Sequence, residues 1–263
     1  MDVVMLMAIG LLTGATTVLF GFGGGFVAVP VVVWADAALG TAALPVATAT
    51  SALVMVVNAA FATAVTPRSV LLALRGSGAL LPLLAAGACA GAYATRFAPP
   101  ALARWAFVAY TALTALDLLL RPGFLRTTRP DAGPVRAPRP LPAAAGAPIG
   151  AVAAFLGVGG SVMTVPAMRR AGHPMRVATA LANPLTLAVA LPAVAVSFAA
   201  SSPPGTGLVG LVDPYAAGAL LLGALPVIAV LRRRPPRIPD RVHACAYLAL
   251  LALVTLAMAF SGA

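Results

Sequence analysis

Residues 19–30 read LFGFGGGFVAVP, and residues 155–166 read FLGVGGSVMTVP. The two stretches lie 136 positions apart and are identical at five of their twelve positions, and each lies within a long apolar run. A second motif recurs downstream, because VATA at 46–49 is repeated at 177–180, an offset of 131. Apolar segments broken in corresponding places of two halves are typical of the binding sites of secondary transporters. The repeat therefore predicts a two-part permease.

The composition indicates a membrane protein. Hydrophobic residues make up 61% of the 263 residues, charged residues 9%, and the mean hydropathy is +1.01. Soluble domains are about half apolar and about a quarter charged. The chain also contains several runs near the roughly 20 residues that a membrane-spanning helix needs. We therefore expect an all-α polytopic membrane protein in contact with the lipid bilayer, whose first apolar run lacks the basic start of a cleavable signal peptide and is retained.

The net charge of +11 does not indicate nucleic-acid binding. All seventeen basic residues are arginines, and they lie almost entirely between apolar runs rather than in a basic stripe interleaved with aromatic residues. Cytoplasmic loop charge explains them. The two cysteines form no CxxC or Cys/His cluster, so the sequence predicts neither a metal site nor a cofactor.

Proline, arginine and glycine residues divide the chain into eight apolar segments. They cover 3–34 (broken at 21–25), 42–65, 69–95, 101–120, 141–168 (broken at 157–160), 176–200, 213–231 and 241–260. The stretch 121–140 holds five arginines and five prolines and reads as a polar hinge. The chain is thus expected to consist of repeat 1 (1–120), the hinge (121–140) and repeat 2 (141–263).

The arginine distribution predicts how the segments cross the membrane. If all eight segments cross the membrane, seven arginines lie on one side and ten on the other. If each glycine-broken segment enters and leaves on one side, they divide fifteen against two, with only Arg96 and Arg104 on the second side. The positive-inside rule favours the second arrangement. Each half then crosses three times, so we expect two inverted repeats with re-entrant glycine turns, a cytoplasmic hinge and both termini outside.

The glycine breaks suggest an anion site. A helix that begins inside the membrane directs unpaired N–H groups and a positive dipole end towards its cavity. The second and sixth segments add hydroxyl and amide side chains to this candidate site. The predicted substrate-binding residues are Gly23, Gly24, Gly25, Thr48, Thr50, Ser51, Asn58, Gly159, Gly160, Ser161, Thr179 and Asn183. The alternatives are that the glycines only permit close helix packing and that the hydroxyls bond to their own helices.

Acidic residues are absent from the predicted site. The chain has no glutamate, and its six aspartates fall at or near segment ends. A proton or sodium relay through a buried carboxylate is therefore not expected. An anion that leaves a cell with a negative interior is driven by the membrane potential instead.

The two glycine motifs, the Ala-Thr-x-x-Ser pattern at 47–51 and the four-plus-four layout resemble the sulfite exporter TauE/SafE family of bacterial and plant permeases. The resemblance covers essentially the whole chain. It implies export or exchange of a small anion such as sulfite, an organosulfonate or another sulfur oxyanion, in a bacterial inner membrane. The family's glycine motifs fall on Gly21, Gly23, Gly24, Gly25, Gly157, Gly159, Gly160 and Ser161. The second half departs from the pattern, since Ala182 stands where the first half has Ser51.

Two other functions remain open at this stage. Half-helices in inverted repeats also line passive channels for small solutes. Gly159-Gly160-Ser161 with His243 is a weak match to an intramembrane serine hydrolase, whose base lies on another helix. The sequence also leaves open whether the protein is a monomer or a homo-oligomer.

Overall fold

The computed structural model describes residues 3–35, 40, 42–74, 78–120, 124–125, 142–202 and 206–260. These residues fold almost entirely into helices and form no sheet; a single isolated bridge pairs Val209 with Val212. The α-helices are α1 (Val3–Phe20), α2 (Gly25–Ala35), α3 (Ala43–Ala64), α4 (Arg68–Leu71), α5 (Leu80–Thr95), α6 (Pro100–Leu120), α7 (Gly146–Leu156), α8 (Ser161–Arg170), α9 (Met175–Phe198), α10 (Pro214–Arg233) and α11 (Asp240–Phe260).

Six helices are long and apolar enough to span a bilayer, namely α1, α3, α6, α9, α10 and α11. The helix α5 and the stretch 143–156 are apolar but shorter. The segment expected over 69–95 is not one helix, since the turns at 68–74 are separate from α5, which begins at Leu80. The expectation of an all-helical polytopic protein is confirmed within the described residues.

Glycines bring two helix pairs into backbone contact. Gly10 and Gly14 of α1 lie against the backbone of Leu220 and Ala224 in α10. On the other pair, Gly87 and Gly91 of α5 lie against the backbone of residues 147 and 151 in α7. Any Cβ at these four positions would meet a carbonyl oxygen. Small residues spaced four apart allow this approach in membrane helices.

The helix contacts of one half have counterparts in the other. The helices on either side of the two glycine breaks, α1 with α2 and α7 with α8, occupy corresponding places in the sequence. The pair α1–α10 corresponds to α7–α5, and α2–α3 corresponds to α8–α9. The helices α3 and α9 pack on each other, as do α6 and α11. Each half is therefore held mainly by helices of the other half.

A buried arginine joins several loops at one end of the bundle. The Arg169 side chain is 2% exposed and forms an ion pair with Asp240. Its Nε donates to the carbonyl of Phe124 at 3.2 Å, and one terminal nitrogen donates to the carbonyl of His173 at 3.3 Å. Phe124, which lies in the predicted hinge, is buried with its ring centroid 5.5 Å from that of Tyr247. Apart from residues 124 and 125, the predicted hinge at 121–140 lies outside the described residues.

The glycine contact between α5 and α7 yields a stability prediction. Gly91→Val places side-chain atoms against the Ala151 backbone, so we expect the free energy of unfolding to fall by about 1–3 kcal/mol or more. Gly218→Val in α10 is the matched control, because no heavy atom lies within 4 Å of its Cβ position. Thermal unfolding of the detergent-purified variants measures the difference. Equal unfolding temperatures for the two variants would refute this packing.

Candidate functional site

The first glycine break places Gly24 beside α1. Gly21, Gly23 and Gly24 have φ values of +75°, +63° and +90°, which L-residues rarely adopt. The chain returns to α1 here, since a Cβ on Gly24 would lie 3.1 Å from Thr13 Cβ. On its other side it would lie 2.8 Å from Asn58 Nδ2. The break is thus enclosed by α1 and α3.

The second break has corresponding but apolar neighbours. A Cβ on Gly160 would lie 3.5 Å from Val189 Cγ2 and 4.0 Å from Ile149 Cγ2. Ile149 follows Thr13 by 136 positions, and Val189 follows Asn58 by 131. These are the two offsets of the sequence repeat. The two breaks therefore occupy equivalent surroundings, and the first has polar groups where the second has aliphatic ones.

The two breaks approach each other at Met55 of α3 and Thr186 of α9. A Cβ on Gly23 would lie 2.8 Å from Thr186 Cγ2 and 3.3 Å from Met55 Cγ. A Cβ on Gly159 would lie 3.0 Å from Met55 Sδ and 3.0 Å from Thr186 Cγ2. Met55 is 2% exposed and Thr186 is fully buried. Both breaks therefore contact the same pair of side chains, which are themselves 131 positions apart.

The remaining glycine contacts cross between the halves in the same way. Gly21 lies beside Thr179, whose carbonyl oxygen is 2.6 Å from its Cβ position. Gly157 lies beside Thr48, whose Cγ2 is 3.0 Å from its Cβ position. The break of each half is thus placed against the VATA motif of the other. Since Thr48 and Thr179 are also equivalent, this contact explains why that motif recurs.

In both helices that leave the breaks, the first amides precede the helical hydrogen bonds. In α2 the Ala28 N–H donates to the Gly24 carbonyl, so the N–H groups of 25–27 precede the helical bonds. In α8 the Met163 and Thr164 N–H groups both donate to the Gly160 carbonyl. The N–H groups of residues 161 and 162 therefore precede the first helical hydrogen bonds. Anions bind at such helix starts because the N–H groups and the helix dipole both favour negative charge. Among the described residues, the side chains nearest the glycines carry no charge.

Several predicted site hydroxyls already have hydrogen-bond partners. Thr48, Ser51 and Thr179 donate to backbone carbonyls three residues back in the chain, at 2.9, 3.0 and 3.2 Å. The Thr50 hydroxyl accepts from the Asp213 N–H at 2.9 Å, where Asp213 caps the start of α10. Thr50 therefore joins α3 to α10. Such local bonds are common for Ser and Thr in membrane helices.

Other buried polar atoms have no hydrogen-bond partner within the described residues. They include Ser161 Oγ, Thr164 Oγ1, Asn58 Oδ1 and Asn183 Oδ1. The amide nitrogen of Asn58 donates to the Gly23 carbonyl at 3.4 Å, and that of Asn183 donates to the Thr179 carbonyl at 3.3 Å. Buried polar groups are normally paired, so unpaired ones mark places for a ligand or water. Ser161 carries its hydroxyl at the first position of α8.

The sequence reasoning did not identify Met55, Thr186, Thr13 or Thr17. Thr17 lies beside the first break, with its Oγ1 3.5 Å from the Cβ position of Gly24. Met55 and Thr186 could have been found from the 131-residue offset of the VATA motif. When the same offset is applied to the rest of α3, it pairs Met55 with Thr186. Thr13 and Thr17 lie on the face of α1 that contacts Gly24. No local sequence pattern predicts this contact.

The described residues do not assemble a hydrolase or a metal centre. His243 Nε2 contacts the Leu19 carbonyl, and the Ser161 hydroxyl has no hydrogen-bond partner there, so the two do not form a nucleophile–base pair. No group of three or more His, Cys, Asp or Glu side chains in this part of the chain could hold a metal ion. Of the five predicted glycines, by contrast, Gly23 and Gly159 lie against both Met55 and Thr186, and Gly25 lies against Met55. Gly24 and Gly160 have other neighbours.

A comparison with protein families identifies the class of this chain. The family model described as "Sulfite exporter TauE/SafE" matches residues 6–258, which is nearly the whole chain. Comparisons with curated proteins and with solved structures gave no match. Members of this family are membrane transporters, not enzymes. The chain is therefore a multi-pass membrane transporter that belongs to the TauE/SafE sulfite exporter family.

Proposed function

We propose that this protein exports or exchanges a small sulfur oxyanion, such as sulfite or an organosulfonate, and binds it between the two glycine breaks. The observation that carries the proposal is the meeting of the two glycine breaks at Met55 and Thr186. The second break leads into α8, whose first residue, Ser161, has a hydroxyl without a hydrogen-bond partner among the described residues. Backbone N–H groups of 25–27 and 161–162 would hold the oxygens. Family membership supports an anionic substrate.

The uncharged site suits a substrate that must leave again. Two helix starts supply a positive potential equivalent to about half an elementary charge each, without a cationic side chain. An anion bound by neutral amides is released more easily than one paired with a buried arginine. No carboxylate lies among the nearest neighbours of the described glycines, so we infer that the membrane potential drives export, with about 2.3 kcal/mol per charge per 100 mV.

We further propose two inverted repeats, 1–120 and 141–263, joined by a cytoplasmic hinge in a bacterial inner membrane. The same cavity is lined by Val65 and Thr66, which directly follow α3, and by Arg176 and Val177 at the start of α9, so these equivalent helices run in opposite directions. The return of Gly24 to Thr13 supports a re-entrant first break. The fifteen-to-two division of arginines supports the orientation.

Flux measurements test the transport function. In proteoliposomes with an imposed membrane potential, we expect saturable sulfite flux that moves net charge. The flux should fall when an unlabelled sulfonate competes for the site. Flux that is linear in concentration and independent of anion identity would contradict the proposal and identify a passive channel.

Two neighbouring glycines give a matched test of the second break. Gly159→Ala adds a Cβ at φ +68°, 3.0 Å from Met55 and Thr186, whereas Gly160 has φ −72° and its nearest contact is at 3.5 Å. The left-handed conformation costs an L-residue about 1–2 kcal/mol. We expect Gly159→Ala to reduce sulfite flux at least about tenfold and Gly160→Ala to retain most of it. Size-exclusion profiles control for folding, and equal flux in two folded variants would count against the site.

Cysteine labelling tests the inversion. In a Cys89→Ser/Cys245→Ser background, Ser69→Cys follows α3 and Ser201→Cys follows the equivalent helix α9; both serines are exposed. Inverted repeats place these two cysteines on opposite membrane faces, with residue 69 cytoplasmic. A membrane-impermeant maleimide added to intact cells should therefore label only the cysteine at 201. If both cysteines are labelled in intact cells, or if neither is labelled until the cells are lysed, the halves are not inverted.

A further inference from the structure

An open cavity lies at one end of the bundle, away from Met55 and Thr186. Its volume is about 350 Å³, and it lies between the end of α3, the start of α9, the end of α10 and the start of α11. The polar residues that line it are Thr66, Arg176, Thr179, Arg232 and His243. We call this cavity the arginine vestibule. Under the proposed topology it opens to the cytoplasm.

The arginine vestibule carries positive charge without a matching carboxylate. Its described lining contains two arginines and no acidic residue. Arg232 Nε and one of its terminal nitrogens are buried and have no hydrogen-bond partner in the described part of the chain. The acid near by, Asp240, pairs with Arg169 instead. Two guanidinium groups around one cavity repel each other, and an anion between them would relieve that repulsion.

The inner end of the vestibule adjoins the first glycine break. Thr179 lines the cavity, and its carbonyl oxygen is in contact with Gly21. Leu19, two residues before Gly21, also lines the cavity, and its carbonyl is contacted by His243 Nε2. An anion in the vestibule is therefore separated from the break by a single layer of residues.

The equivalent region of the other half is closed. Arg96, Thr48 and Ser197 correspond by the repeat offsets to Arg232, Thr179 and Thr66, and they line a cleft of only about 20 Å³. Arg96 is also satisfied by the protein, since it donates to the Val196 carbonyl and lies over the Tyr93 ring. Of these two equivalent arginines, Arg232 has unpartnered N–H groups among the described residues, whereas Arg96 has partners within the protein.

We propose that Arg176 and Arg232 form an entrance subsite that captures a small oxyanion before it reaches the central site. The identity of the anion rests on the proposed transport function. Arg232 lines the cavity, and a guanidinium group can bind an oxyanion through two parallel hydrogen bonds. Arg176, exposed at the mouth, raises the local anion concentration by long-range attraction.

The test compares Arg232→Gln with Arg233→Gln, which removes the same charge from the next residue of α10 without touching the vestibule. Loss of a charge-assisted hydrogen bond lowers affinity about tenfold to a hundredfold. We expect Arg232→Gln to raise the KM for sulfite presented from the vestibule side by at least about tenfold, with a much smaller effect on maximal flux. Arg233→Gln should keep the wild-type KM. A KM for Arg232→Gln within twofold of that for Arg233→Gln would overturn the subsite.

A binding measurement separates this inference from the transport function. Sodium sulfite, against sodium chloride at equal ionic strength, should raise the unfolding temperature of the detergent-purified wild type and of Arg233→Gln. It should raise that of Arg232→Gln and Arg176→Gln much less. If this pattern holds while wild-type proteoliposomes show no sulfite flux, the subsite stands and the transport proposal fails. If all four proteins respond alike, the subsite is refuted, whatever the flux.

Discussion

The structure depends on the requirement that backbone amides inside a membrane find partners within the protein. A helix satisfies its own amides, but the two glycine breaks do not, and irregular backbone is tolerated only where protein or a watery cavity surrounds it. Here the breaks are enclosed by α3 and α9 and contact Met55 and Thr186 from both sides. The positive φ values at Gly23 and Gly159 make these contacts geometrically attainable. The unpaired amides that remain are the groups we assign to the anion.

The surrounding helices hold the two breaks in register. The glycine contacts of α1 with α10 and of α5 with α7 bring helices of opposite halves to backbone distance. The Thr50 hydroxyl ties α3 to the start of α10, and Arg169 ties α8 to the start of α11. The two halves therefore contact each other along several helices. The open arginine vestibule and its closed counterpart are the two ends of that arrangement.

The sequence was sufficient to predict the helical class, the two breaks and the family, because composition and repeated glycines are local signals. It did not show that Met55 and Thr186 join the breaks, since that contact links residues 131 positions apart and depends on how α3 and α9 cross. Thr50 was predicted as a ligand from its residue type, but its hydroxyl is bonded to the cap of α10. The offset changes from 136 at the breaks to 131 at α3 and α9, so a single gapless alignment does not pair these residues.

The binding of a small oxyanion between the two breaks can be observed directly. Selenite is the selenium analogue of sulfite, and selenium can be located directly by anomalous X-ray scattering. A crystal of the full chain soaked in selenite should show an anomalous peak within hydrogen-bonding distance of the amides at 25–27 or 161–162, next to Met55 and Thr186. A peak in the vestibule or at another site, with none between the breaks, would show that the oxyanion does not bind between them.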